Sequence, residues 1–283
     1  FSRKGKNGMV RGIYTGAAGM IAEMHRMDTV SNNLANVDKT GYKYDTAIFK
    51  AFPEMLISRM NDDGVVKLPI GSYDVAPIVG KIGTGVEMNE AYTRHEQGAL
   101  KQTGNKFDLA LDGNGFFVID TPAGERYTRN GSFLIDREGF LVTKDGYKVL
   151  GEKGPLVLKE FNFQVDQDGN VIVNMDEQDE RERLTNDDQN EWKRTEKLDR
   201  LRVVNFENLR YLEKQGDSFY RETKYSGPAV EVADGRPKIQ QGFLEASNVN
   251  AVAEMVRMIE VQRSYEASHK SIQSHDQLLQ RLV

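Results

Sequence analysis

Ser31-Asn32-Asn33-Leu34-Ala35-Asn36-Val37 closes the first long segment of the chain, and Ser247-Asn248-Val249-Asn250 opens the last. Each cluster adjoins an apolar stripe at helical spacing, and a helix with such a stripe must bury it against something. Upstream of the first cluster, Val10, Ile13, Ala17, Met20, Met24, Met27 and Leu34 alternate in steps of three and four, interrupted only by Ser31. That predicts a helix over about residues 10–36 with a narrow, coiled-coil-like seam. It would be roughly 40 Å long at 1.5 Å per residue. Gly12, Gly16 and Gly19 each lower its intrinsic helicity by about 1 kcal/mol relative to alanine. Its helicity must therefore come from packing, and the small residues would let a neighbour approach closely. Asn32, Asn33 and Asn36 read as a C-terminal cap, or as donors to a neighbouring subunit.

Downstream of the second cluster, Met258, Val261, Tyr265, Ile272, Leu279 and Leu282 repeat the three-four spacing, with Ser268 and His275 in the gaps. Ser247-Asn248 offer an N-cap, and Glu254 suits the first turns of a helix. The simplest geometry is an antiparallel pair of end helices, leaving Val252, Met255, Val256 and Ile259 to face other copies.

Between the helices the chain reads as β-rich. Phe107, Leu109 and Leu111 alternate with polar residues, and Asp112-Gly113-Asn114-Gly115 turns into Phe116-Phe117-Val118-Ile119. Asn130-Gly131, Glu138-Gly139 and Asp145-Gly146 then recur between short apolar runs, the pattern of an antiparallel meander. Residues 42–85, punctuated by Pro53, Pro69 and Pro77, read as irregular or extended; a structureless stretch of that length is unusual inside a domain, and lying along a neighbour would account for it. From 176 to 200 dense charge of both signs surrounds Trp192, the mark of a solvated insertion or exposed helix.

The expected class is α+β: paired terminal helices (9–40 with 246–283), an extended connecting region (41–85 with 226–245) and a mostly antiparallel β domain (86–225). Residues 1–8 form a flexible leader or extension before Met9, which reads as a native start; no apolar h-region follows them.

The composition removes several chemistries. The 283 residues contain no cysteine, which excludes disulfides, thiolate zinc sites and cysteine nucleophiles. A net charge of −5 argues against nucleic acid, and no run reaches the roughly 18 apolar residues of a membrane span. His269 and His275 are six apart, the wrong spacing for a metal pair on one helix face, and each of the four histidines reads as a helical surface residue. Asp166-Gln167-Asp168-Gly169-Asn170 starts like a calcium loop, but Val171 stands where glycine is needed, so a β-turn is expected. No catalytic constellation, metal site or cofactor is implied. A competing reading is a monomeric ligand-binding β protein using exposed aromatics such as Trp192, Phe219 and Tyr220.

Three sets of residues resemble flagellar basal-body rod and hook proteins. They are Gly12-Ile13-Tyr14 through Asn36 with Thr40-Gly41-Tyr42-Lys43; Asp108 to Phe117 with Tyr127-Thr128-Arg129-Asn130-Gly131-Ser132-Phe133; and Glu245-Ala246-Ser247-Asn248-Val249-Asn250 with Met258 to Glu266. Gly12-Ile13-Tyr14, Arg26-Met27-Asp28 and Gly151-Glu152-Lys153-Gly154-Pro155 look more like the proximal-rod type, FlgF, than the distal-rod type, FlgG. The resemblance implies a structural subunit that is exported by the flagellar type III apparatus without a cleaved signal. It would polymerise with copies of itself and other axial proteins into the periplasmic rod, and span no membrane. The expected assembly surface is Ile13, Tyr14, Ala17, Met20, Met24, Met27, Asn32, Asn33, Leu34, Asn36 and Val37 on the first end. On the second it is Asn248, Val249, Asn250, Met258, Val261, Tyr265, Ile272 and Leu279.

Overall fold

The computed structural model describes residues 4–58, 65–68, 71–74, 78–158, 163–174, 195–216, 218–232 and 237–281. Its described residues form two compact units. The first gathers helix α1 (Lys4–Ala35), helix α2 (Ala251–Gln280) and six strands. The second holds residues 35–44 and 93–250. Residues 226–245, expected in a connecting region, thus group with the β-rich unit.

In the first unit α1 begins earlier than the stripe implies, at Lys4, so the helix runs back through residues 4–8. Helices α1 and α2 pass in opposite directions, with Gly12 against His275, Gly16 against Ile272 and Gly19 beside Ser268. A Cβ on Gly16 would lie 2.9 Å from Ile272 Cγ1. The glycine stripe of α1 therefore faces α2, where no side chain of α1 intervenes. The segment expected to be irregular or extended is extended, and forms two-stranded ladders. Strand β1 (Asp45–Ala51) pairs with β6 (Val86–Thr93), β2 (Met55–Ser58) with β5 (Ile78–Ile82), and β3 (Val65–Leu68) with β4 (Gly71–Asp74). Met55 opposes Ile82 and Val65 opposes Asp74, so successive ladders nest one inside the next along the sequence. Pro53 sits between β1 and β2, outside the ladders, which is where ladder hydrogen bonds permit it; Pro69 and Pro77 lie outside the described residues.

In the second unit every ladder is antiparallel. The central strand, Phe116–Thr121, lies between Gly124–Thr128 on one side and Lys148–Val149 and Val203–Asn205 on the other. The meander turns at Glu138-Gly139 and Asp145-Gly146 are present, with glycine φ of 86° and 84°. Asn130-Gly131 is not such a turn. Gly131 runs so close to Leu109 that a Cβ would fall 1.6 Å from the Leu109 carbonyl oxygen, and the Leu109 N–H donates to the Gly131 carbonyl at 3.0 Å. Asp166 to Asn170 is the expected β-turn, joining Phe163–Val165 to Asn170–Asn174. Most of the charged segment, Trp192 included, lies outside the described residues; its end, Thr195–Arg200, is a strand on Asn170–Asn174 rather than a helix.

Two apolar clusters form the core, one around Phe117, Phe133 and Phe163, the other around Phe116, Tyr127 and Tyr220. Tyr220 is fully buried and Phe219 packs against the first cluster. Neither is the exposed aromatic that a ligand-binding face would require. His95 also departs from expectation: it sits outside any helix, its ring 5.7 Å from Phe116 and 5.2 Å from Tyr220.

Candidate functional site: helix faces and a buried junction

Along α1, Ile13, Ala17, Met20, Met27 and Leu34 are half-buried, whereas Tyr14 and Met24 are exposed; among the described side chains Ala22, Val30 and Asn33 are buried. Along α2, Val261 is buried and Met258, Tyr265, Ile272 and Leu279 are half-buried. Glu254 and Val261 are its only buried residues among those described. Val252, Met255, Val256 and Ile259 are each at least 50% exposed. These are the apolar residues expected to be left over from helix pairing, and they cluster in the first three turns of α2.

The asparagines do not cap in the simple way. Asn33 lies inside α1, and its side-chain amide pairs with the Asp45 backbone: Nδ2 donates to the carbonyl at 2.8 Å and Oδ1 accepts from the N–H at 3.0 Å. A side-chain amide thus plays the part of a strand neighbour at the start of β1. Asn248 is not the N-cap of α2, which starts at Ala251. Its Oδ1 accepts from Tyr44 N–H at 2.8 Å, and its Nδ2 donates to the carbonyls of Arg94 and Glu96. Both bond within the subunit. Asn32 and Asn250 are exposed, Asn36 and Val37 half-buried, and Val249 buried.

Asn248 belongs to a larger junction in the second unit that the sequence reading did not anticipate. Gly41 N–H donates to the Glu245 carbonyl at 2.8 Å, Arg94 N–H to Tyr44 at 2.9 Å, and Ala246 N–H to Ala99 at 2.8 Å. At its centre the Glu245 carboxylate is 1% exposed. Oε1 accepts from Lys43 Nζ at 2.6 Å and from Gly98 N–H at 2.8 Å, and Oε2 faces Arg129 Nη1 at 3.3 Å. Lys43 Nζ also donates to the Glu96 carbonyl, and Arg129 Nη2 to the Gly113 carbonyl. The Arg129 guanidinium lies over the Phe116 ring. Burial pushes the Lys43 ammonium below its ordinary value, with Glu245 opposing the shift, and burial lowers Arg129 in the same way. Two desolvated cations therefore share one buried carboxylate. Such a cluster holds only while its partners and hydrogen bonds are complete. The available signal was three charged residues embedded in glycine- and asparagine-rich motifs: Thr40-Gly41-Tyr42-Lys43, Arg129-Asn130-Gly131 and Glu245-Ala246-Ser247-Asn248.

Among the described residues no cluster of three or more acidic or histidine side chains could hold a metal ion. Among the described residues no helix is long and apolar enough to cross a membrane.

Three family models match the chain. The flagella basal body rod protein model covers residues 13–43, the flagellar hook protein FlgE/F/G D1 domain 110–173, and the flagellar basal body rod FlgEFG protein C-terminal model 240–283. The chain is 33% identical over 280 residues to the basal-body rod protein FlgG of Buchnera aphidicola subsp. Schizaphis graminum, covering 97% of this chain and 99% of the relative. Identity to FlgG of Bacillus subtilis is 33% over 282 residues, covering 97% and 98%. With FlgF of Caulobacter vibrioides it is 32% over 275 residues, covering 97% of each. Lys43, Arg129 and Glu245 fall one in each of the three matched segments.

Proposed function

The chain belongs to the flagellar basal-body rod family, and from that membership we propose that it is a structural, non-enzymatic subunit of the rod. It polymerises helically through its terminal helices with copies of itself and other axial proteins, and transmits motor torque across the periplasm after export through the flagellar type III apparatus. The observation that carries this reading is the state of the helices. Two elements of 32 and 30 residues bury few of their described side chains, and α2 keeps five large apolar residues at least half exposed. Helical stability in proteins comes mostly from packing of an apolar face, so these faces call for further neighbours. In the rod the pair of helices packs as a coiled-coil-like module, with the glycine stripe of α1 along the line where it faces α2. At 3.6 residues per turn, Met20 and Met27 on α1, with Met258 and Tyr265 on α2, fall beside that line, whereas the exposed Tyr14 falls on the far side of α1. The ladders of β1–β6 serve the same assembly by lying along a neighbour. A two-stranded ribbon is marginal alone in water, and Met55, Leu56 and Ile57 are exposed on β2.

The proximal-rod type, FlgF, is our reading from Gly12-Ile13-Tyr14, Arg26-Met27-Asp28 and Gly151 to Pro155. The distal-rod type, FlgG, has in its favour the slightly higher identity, 33% against 32%. Electron microscopy of basal bodies carrying a labelled subunit tests both. Label at the proximal end of the rod is expected, label at the distal end selects the FlgG type, and label away from the rod contradicts the function itself.

A further inference from the structure

The second unit contains a connection that goes beyond assembly: a buried ion pair joins two chain segments whose charged residues are 202 positions apart. Residues 40–44 and 245–248 are not joined by a strand ladder. Single hydrogen bonds and the Lys43–Glu245 ion pair link them, with 94–99 as the third party. The two segments are not equivalent. With 245–248 in place alone, the Glu245 carboxylate still faces Arg129 and accepts from the Gly98 N–H. With 40–44 in place alone, the Lys43 ammonium would be buried on the Glu96 carbonyl with Arg129, a like charge, beside it. Burying an ammonium without a counter-charge is far more costly than burying a compensated carboxylate.

We propose that Glu245 is a latch: the segment that leaves α1 docks on the β domain only once the segment that leads into α2 is seated there. Lys43 supplies the dependence and Arg129 pre-seats the carboxylate. Gly41 and Tyr44 report the latched state, because their N–H groups bond to the Glu245 carbonyl and the Asn248 side chain. The chain's earlier part thereby waits for its later part, and the order follows from the positions of the charges rather than from the sheet.

Hydrogen exchange on the full-length chain tests this. Glu245→Gln should speed exchange at Gly41 and Tyr44 by about a hundredfold, while Phe116–Thr121 stays slow. Lys43→Met, which removes the dependent charge, should leave Ala246 protected within a few-fold. The double variant Lys43→Met/Glu245→Gln, in which Arg129 alone lacks its carboxylate, should exchange more slowly at Gly41 and Tyr44 than Glu245→Gln does. Unchanged exchange at Gly41 and Tyr44 in Glu245→Gln would overturn the latch. So would equal loss of protection at Ala246 in Lys43→Met, or a double variant that exchanges at Gly41 and Tyr44 as fast as the single one.

Discussion

Gly131→Ala is expected to destabilise the β-rich unit by more than about 4 kcal/mol, the range reserved for severe steric faults. The added methyl would sit 1.6 Å from the Leu109 carbonyl oxygen and 2.7 Å from its carbon. Neither is a flexible side chain that could move aside. Leu109 is held on both flanks: its N–H donates to Gly131, and its strand, Leu109–Asp112, pairs with Lys238–Gln241. Relieving the clash means pulling that strand from the core cluster that holds Leu109 and Leu111. Against a typical domain stability of about 5–15 kcal/mol, that loss removes much of the fold. The comparison is Gly146→Ala, at a turn with φ of 84° and nothing within 4 Å of the added Cβ. It should cost only about 1–2 kcal/mol, the left-handed backbone penalty. Denaturant midpoints of the two variants measure the difference, and equal midpoints would show that backbone approach at Gly131 is unimportant.

The second large effect concerns assembly and should leave the monomer intact. Replacing Val252, Met255, Val256 and Ile259 together by glutamine, a good helix former, removes an apolar face that is at least half exposed at each position. Full burial of such a side chain is worth about 1.5–3 kcal/mol, so covering the exposed half contributes about 1 kcal/mol each. Loss of all four should weaken subunit addition by about 4 kcal/mol, roughly a thousandfold. The unfolding midpoint of the β-rich unit should stay within the range of ordinary surface changes, about 0.5 kcal/mol. Sedimentation of assembled rods, with circular dichroism on the soluble variant, separates the two quantities. Normal incorporation would remove α2 from the interface.

The terminal helices and the meander were legible because each is a local pattern. The three-four spacing from Val10 to Leu34 and from Met258 to Leu282 marks a helix whatever it touches, and Glu138-Gly139 and Asp145-Gly146 mark turns between adjacent strands. The stripe did not reveal which face of α1 meets α2, because that face is marked by the missing side chains of Gly12, Gly16 and Gly19. The ladders of β1–β6 were hidden by being short and nested, the outermost strands being separated by the proline-punctuated chain from 52 to 85. The Lys43–Glu245–Arg129 junction was out of reach for a related reason. Its members stand 202 and 116 residues apart, and a charged residue in a motif looks the same whether it is solvated or buried. Asn130-Gly131 misled in the opposite way: a dipeptide with a strong turn signal was there for a close backbone crossing.

Hydrogen exchange of the wild-type chain, free and in assembled rods, tests most directly whether the terminal helices are built for assembly. In the free chain α2, with Glu254 and Val261 as its only buried residues among those described, should exchange rapidly along its length, and α1 with it, while Phe116–Thr121 and Leu141–Thr143 remain slow. Assembly should slow both helices to the rate of the strands. Helices that are already as protected as the strands in the free chain would contradict the account.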